Sequence, residues 1–143
     1  QHLAKHVGLT VVTNNLTIFQ CISQFPGVEP CLIGGTLDRE VENFVGPIAR
    51  RGIEALAFDA AFFSAYGLDD VVGLCEPSLE DAAIKDLVVT RSKSAYVAIN
   101  SEKFQRRAAG SWAADVSHLH LATDLEKHDQ RVQAFNNLFK SIN

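Results

Sequence analysis

Short apolar runs alternate with amphipathic segments along this chain, and each pattern predicts one kind of element. Runs rich in β-branched and other apolar residues predict five strands, at 9–13, 31–33, 60–63, 95–99 and 119–122. Apolar residues at helical spacing predict helices from 16 towards 26, from 47, from 78, and over 132–142. The alternation predicts an α/β fold, a mostly parallel sheet with helices on both faces. The nearly continuous apolar run at 60–63 predicts a strand covered on both faces.

Polar residues and glycines follow several of the predicted strands. Because ligands bind such sheets at the carboxyl ends of the strands, we expect one rim to carry the binding site. Its expected members are Asn14, Asn15, Gly34, Gly35, the loop after Phe63, the segment 100–103 and the pair Thr123–Asp124. Asn14 and Asn15 also suit a helix cap, and the glycines suit a turn with unusual backbone angles.

Composition narrows the classes of function. With 143 residues, 47% of them apolar, the chain suits one domain with a core, spanning 1–143. A net charge of −4 and only isolated arginine pairs argue against DNA binding by these residues themselves. No apolar run is long enough for a membrane span, and no signal peptide is visible. The chain does not begin with Met, so we expect a fragment of a longer protein.

Cysteine and histidine usage gives little sign of a metal or cofactor. Cys21, Cys31 and Cys75 are widely spaced and form no metal-binding pair, so free thiols in a reducing cytoplasm are expected. His118 and His120 alternate on one strand face, but no further ligand stands at convincing spacing. We therefore expect neither a metal nor another cofactor.

Asp81 and Lys85 lie four residues apart on the predicted helix from Ser78, so their side chains share a face. The pair has two interpretations: contact with an anionic ligand, or an ordinary ion pair behind the helix cap Ser78. Lys103, in a polar loop, is either solvated or an anion partner.

The rim motifs together resemble the sensor domain of the DeoR family of bacterial transcription regulators. The resemblance runs through seven segments in order: Val12–Asn15, Gly34–Gly35, Gly46, Phe58–Leu68, Gly73–Lys85, Asn100–Phe104 and Thr123–Asp124. It implies a fold like that of ribose-5-phosphate isomerase, glucosamine-6-phosphate deaminase and the CoA transferases. It also implies that the domain senses a phosphorylated sugar or related metabolite and thereby releases DNA.

The chain departs from the family pattern in places. The family's first sensor strand, with an Asp-x-Gly-Ser/Thr-Thr loop, and its winged helix-turn-helix would precede Gln1, so we expect part of the pocket to lie outside these residues. Asn100 stands where the family has Asp, and Glu76 where Thr is usual. Both changes alter the charge of the expected pocket.

The sequence thus predicts the effector-binding domain of a sugar-metabolism repressor, a homo-oligomer that meets operator DNA only through a separate domain and has no membrane partner. The predicted effector-binding residues are Asn14, Asn15, Gly34, Gly35, Asp59, Gly67, Asp81, Lys85, Lys103 and Asp124. The alternative is a sugar-phosphate isomerase or deaminase, although only Asp81 and Lys85 resemble an acid/base set. A plain nucleotide-binding domain is disfavoured because no Gly-x-Gly-x-x-Gly follows a strand.

Overall fold

The computed structural model describes residues 7–113 and 116–143. The chain divides into two compact units, Gln1–Ala55 and Leu56–Asn143. The prediction that the whole chain is one domain stays a prediction.

The first unit is built on a pair of parallel strands joined through a helix. It contains β1 (Leu9–Thr13), α1 (Leu16–Ile22), β2 (Val28–Leu32), β3 (Thr36–Asp38), β4 (Asn43–Val45) and α2 (Pro47–Glu54). β1 and β2 pair in parallel, and β3 and β4 form an antiparallel hairpin. α2 begins as the sequence predicts, with Pro47 in the first turn after Gly46, whose φ of 88° favours glycine.

The second unit contains a four-stranded parallel sheet and a smaller antiparallel one. Its elements are β5 (Phe58–Ser64), β6 (Gly67–Asp69), β7 (Gly73–Glu76), α3 (Leu79–Thr90), β8 (Ser92–Ala98), β9 (Gly110–Trp112), β10 (Leu119–Ala122), α4 (Gln130–Gln133) and β11 (Ser141–Ile142). The parallel sheet has the order β11-β10-β8-β5, and the antiparallel sheet has the order β6-β7-β9. The predicted α/β class with a mostly parallel sheet is confirmed.

One face of the four-stranded sheet carries the core of the second unit. Each step from β5 to β8 to β10 to β11 moves to the next strand in the same direction, and right-handed crossovers then put the connecting segments on one face. That face buries side chains from the strands, from α3 and from the segment 130–139: Ala95, Val97, Leu119, Leu121, Ala82, Val89, Val132, Phe135 and Phe139.

The opposite face corrects the expectation that the strand at 60–63 is covered on both sides. Phe62 is 78% exposed, and its ring stacks on Tyr96 at 5.1 Å between centroids. Tyr96 stacks in turn on His120 at 4.7 Å. The apolar run was misleading because Ala61 faces the core while its neighbours Ala60 and Phe62 do not.

Two further sequence expectations are wrong. The amphipathic helix predicted over 132–142 is a four-residue helix followed by turns and β11. Its apolar residues reach the core all the same, Val132 from α4 and Phe135 and Phe139 from the turns that follow it. The sequence predicts no strands at 36–38, 43–45 and 110–112, where the structure has β3, β4 and β9. In the parts of the chain that the structure describes, no helix is long and apolar enough to cross a membrane.

Candidate functional site

Ser64 marks the carboxyl end of β5 and brings two lysines to the same point of the second unit. Its backbone carbonyl accepts a hydrogen bond from Lys85 Nζ at 3.0 Å. Its hydroxyl accepts one from Lys103 Nζ at 2.6 Å and donates to the carbonyl of Ala98 at 3.2 Å. Since Ala98 ends β8, the contacts lie at the carboxyl edge of two neighbouring strands, the position where ligands bind parallel sheets.

The ammonium of Lys85 is enclosed by acceptors. Besides the Ser64 carbonyl, Glu76 Oε1 lies 2.5 Å and Asp81 Oδ2 lies 3.1 Å from Nζ. The three side chains are largely buried, with exposures of 17% for Lys85, 8% for Glu76 and 9% for Asp81. The ammonium donates hydrogen bonds to the Ser64 carbonyl and to Glu76, and Asp81 adds an ion pair. Lys85 therefore holds two carboxylates and the end of β5 together.

Local structure explains why these charges meet. Ser78 caps α3 by accepting a hydrogen bond from the Asp81 amide at 3.2 Å, which sets the first turn as the sequence predicts. Lys85 follows Asp81 by one turn and so projects from the same helix face. Glu76 ends β7, and its Oε1 also accepts from the backbone N–H of Tyr66 at 3.2 Å. The cluster thus joins α3, β7 and the residues that follow β5.

Lys103 lies on a short 3₁₀ turn, Ser101–Lys103, after β8. Asp124, which follows β10, orders the start of this turn because its Oδ1 accepts from the Ser101 amide at 2.7 Å. Its Oδ2 also accepts from the Ser101 hydroxyl at 3.2 Å. Asp124 therefore positions the segment that carries Lys103.

The remaining predicted residues of the second unit are Gly67 and Asp59. Gly67 begins β6, and a Cβ there would stand 2.2 Å from the Arg106 carbonyl oxygen, so close packing alone requires a glycine. Asp59 is the second residue of β5, at the opposite end of that strand from Ser64. The structure does not bring Asp59 to the lysines.

The residues predicted in the first unit lie at the carboxyl ends of β1 and β2. Asn15 accepts from the Ile18 amide at 2.8 Å, which confirms the helix cap, and its amide N–H groups donate to the Val41 carbonyl and to Asn43 Oδ1, both at 2.9 Å. Asn14 Nδ2 donates to the Phe44 carbonyl at 3.0 Å. Both asparagines therefore fasten the β3–β4 hairpin to the end of β1.

The two glycines after β2 differ in their surroundings. A Cβ on Gly35 would lie 2.6 Å from the carbonyl oxygen of Val45, whereas nothing lies within 4 Å of a Cβ built on Gly34. Close packing leaves no room for a side chain at Gly35, whereas the space beside Gly34 is open. A single rim uniting these residues with Lys85, Lys103 and Asp124 stays a prediction.

His120, one of the two histidines singled out in the sequence, contacts an aromatic ring and a hydroxyl. His120 stacks on Tyr96, and its Nδ1 lies 2.7 Å from Ser141 Oγ. Across residues 7–113 and 116–143, no group of three or more His, Cys, Asp or Glu is placed to hold a metal ion. Cys75, whose pKa is raised by burial, is a buried free thiol.

Sequence reasoning placed the loop after Phe63 on the rim but named neither Ser64 nor Glu76 as a site residue. Ser64 is a small polar residue at the end of an apolar strand, which is a weak signal. Glu76 appeared only as a departure from the family pattern. Its pairing with Lys85 spans nine residues across a strand and a helix, which local spacing does not reveal.

Comparison with known proteins gives a consistent picture. The sequence model of the DeoR C-terminal sensor domain matches residues 1–129. The chain is 27% identical over 105 residues to the L-fucose operon activator of Haemophilus influenzae, covering 73% of this chain and 42% of that protein. It is 30% identical over 101 residues to the lactose phosphotransferase system repressor of Staphylococcus epidermidis, covering 69% and 40%.

A third relative is the putative aga operon transcriptional repressor of Escherichia coli O157:H7, 24% identical over 127 residues, or 89% of this chain and 44% of that protein. The chain thus spans less than half the length of these three relatives. The family match covers most of both compact units. The chain belongs to the DeoR C-terminal sensor domain family.

Proposed function

We propose that this chain is the effector-sensing domain of a DNA-binding regulator of sugar metabolism, and that its effector is a phosphorylated sugar or a close relative of one. Membership of the sensor-domain family supports the sensing role. The names of the relatives support the biological setting, since they include an L-fucose operon activator and a lactose phosphotransferase system repressor.

The proposal of an anionic effector depends on the surroundings of the Lys103 ammonium. Its ammonium donates to Ser64 Oγ at the carboxyl edge of the sheet. Among the described residues no carboxylate forms an ion pair with it, so it has a full charge and two N–H donors available. A phosphate group accepts such donors strongly.

Lys85 has a different part in the proposal. Sequence alone left it between ligand contact and a structural ion pair, and the enclosure of its ammonium favours the structural role. We retain Asp81, Asp124 and the residues of the first unit as candidates for shaping the pocket, because most of them lie at carboxyl ends of strands or order the loops there. Asp59 and Gly67 have no such support.

The proposed mechanism is a shift between quaternary arrangements. An effector that binds one arrangement more tightly raises its population, and the DNA-binding parts then no longer fit their operator. With a net charge of −4, the chain itself is unsuited to gripping DNA phosphates. Repression in the absence of effector and assembly into homo-oligomers are both parts of this proposal.

The alternative, a sugar-phosphate isomerase or deaminase, has less support. General acid/base catalysis needs groups that can reach the substrate and exchange protons with it. In the second unit, Asp81 and Glu76 both form ion pairs with Lys85 and are largely buried. The three relatives are named as transcription regulators, which also favours a sensing role over an enzymatic one.

A ligand panel tests the proposal. The purified protein is titrated by calorimetry with pentose and hexose phosphates and with the corresponding free sugars, and each mixture is followed by proton NMR for turnover. We expect saturable binding of at least one phosphorylated sugar, weaker binding of its free sugar, and no conversion. Catalytic conversion, or indifference to the phosphate, would overturn it.

A further inference from the structure

A row of three rings crosses the open face of the four-stranded sheet. Phe62, Tyr96 and His120 are register neighbours on β5, β8 and β10. The rings of Phe62 and Tyr96 stack at 5.1 Å with planes 14° apart, so Tyr96 covers one face of the Phe62 ring. Phe62 lies on β5, the strand at one end of the sheet order, and is 78% exposed. The other face of its ring is therefore open to a ligand.

The Phe62 ring lies on the same side of the sheet as the hydroxyl that holds Lys103. Side chains alternate along a strand, and Ala61 and Phe63 point to the core side. Phe62 and Ser64 consequently share the opposite side, and residues two apart on a strand are separated by about 6–7 Å. Lys103 Nζ donates to Ser64 Oγ at 2.6 Å. An ammonium with donors available thus lies about one strand repeat from the open ring.

The row between the rings and the carboxyl edge has only small side chains. Ser64 is the register neighbour of Ala98, and Ala98 is that of Ala122. All three are exposed. Because no large side chain stands in this row, a small molecule has room to lie against the Phe62 ring and reach Lys103 at the same time.

The two ends of this surface suit the two parts of a sugar phosphate. The Lys103 ammonium suits the phosphate, since charge-assisted hydrogen bonds to phosphate are strong. The face of an aromatic ring carries the negative part of its quadrupole and attracts the positively polarised C–H groups of a sugar ring. In a hexopyranose 6-phosphate, one oxygen and one carbon join the phosphate to the sugar ring, a length that fits one strand repeat.

We propose that Phe62 is a binding residue of the effector site, and that the sugar ring of the effector stacks on its open face while Lys103 and Ser64 hold the phosphate. This assignment rests on the proposed sensing function and adds the subsite for the sugar ring. The rival occupant of the exposed ring is a second copy of the chain. The ligand is favoured because an apolar contact between copies at this place would bury the Lys103 charge without a partner, which is destabilising.

A ring-deleting variant and a ring-keeping variant test the assignment. Wild type, Phe62→Leu and Phe62→Tyr are titrated with glucose 6-phosphate, galactose 6-phosphate and ribose 5-phosphate by calorimetry, and with the three free sugars by NMR. We expect Phe62→Leu to weaken a sugar phosphate and its free sugar by the same factor, about tenfold, and Phe62→Tyr to stay within about twofold of wild type. Lys103→Ala should instead weaken the sugar phosphate alone. Since Phe62 is exposed, the urea midpoint of Phe62→Leu should match that of wild type.

A spectroscopic readout separates stacking from an indirect effect. Ring currents should shift the C–H protons of the bound sugar upfield in wild type and Phe62→Tyr but not in Phe62→Leu. If Phe62→Leu fails to fold, the absence of this shift in wild type still overturns the assignment. Unchanged sugar binding by Phe62→Leu also overturns it, and so does a loss of self-association in sedimentation with binding intact, which would assign the ring to a contact between copies. Both results leave phosphate sensing standing. If none of the three sugar phosphates binds, the proposed function fails and the assignment fails with it.

Discussion

Replacing Lys85 with methionine removes a cation that contacts two buried carboxylates. Met keeps most of the volume and hydrophobic length of the lysine side chain, so the change tests the charge. Glu76 and Asp81 would lose their shared partner while remaining 8% and 9% exposed. The Ser64 carbonyl would lose a donor as well.

The expected loss of stability can be bounded from this geometry. Removing one partner of a buried ion pair costs about 3–5 kcal/mol, because the remaining charge stays buried and uncompensated. Lys85 retains 17% exposure, so water can reach the site and the lower end, about 3 kcal/mol, is expected. An exposed i,i+4 pair, which is what sequence alone suggests for Asp81 and Lys85, would give only about 0.3–0.5 kcal/mol.

The second unit contains a convenient probe of its own unfolding. Trp112, the single tryptophan of the chain, is 2% exposed there, and the Lys85 ammonium lies 5.7 Å from its ring centroid. Urea titrations followed by its fluorescence would compare wild type and Lys85→Met, with Lys93→Met at an exposed position as the control. Adding Glu76→Gln to Lys85→Met should restore part of the lost stability, because one uncompensated charge is removed. A loss below about 1 kcal/mol for Lys85→Met would refute the enclosed-ammonium interpretation.

Three further predictions concern packing, capping and acid stability. Gly67→Ala should cost about 1–3 kcal/mol, since its Cβ would meet a backbone carbonyl oxygen at 2.2 Å, whereas Gly34→Ala should be nearly neutral in the same urea titration followed by circular dichroism. Asn15→Ala should lower the thermal midpoint because it removes a helix cap, which contributes about 1 kcal/mol, and two hydrogen bonds to the β3–β4 hairpin. An unchanged midpoint would contradict this prediction. The hydrogen-bonded Arg107 guanidinium lowers the pKa of Asp69 from 3.8 to about 2, so this carboxylate stabilises the fold above its unfolded pKa and the contribution disappears as pH falls through about 2. Arg107→Ala should therefore destabilise the protein at pH 6 and much less near pH 2, and a pH-independent difference would count against it.

Much of the fold follows from local pattern. Strands such as Leu9–Thr13 and Leu119–Ala122 and the helix that begins after Ser78 were predicted because a β-branched or alternating run and a cap leave short-range signals. Three-residue strands leave no such signal, which is why β3, β4 and β9 were not predicted. The final helix was overestimated because apolar residues spaced three or four apart also fill a core from successive turns.

The site was only partly accessible from sequence for a similar reason. The spacing of Asp81 and Lys85 predicted their contact, since it is fixed by helix geometry. The contacts of Ser64 with Lys85 and Lys103 span 21 and 39 residues and depend on which strand ends meet. Family resemblance pointed to Lys103 but could not show that Glu76 neutralises Lys85.

The most direct test of the central claim asks whether Lys103 binds the phosphate of the effector. Calorimetry would measure the binding of one phosphorylated sugar and of its unphosphorylated form to the wild-type protein, to Lys103→Ala and to the exposed control Lys93→Ala. We predict that Lys103→Ala loses about 1.5–3 kcal/mol of affinity for the phosphorylated sugar, more than tenfold, while its affinity for the free sugar and the behaviour of Lys93→Ala stay as in wild type. Equal affinities of wild type and Lys103→Ala for the phosphorylated sugar would contradict the claim that this carboxyl edge senses a sugar phosphate.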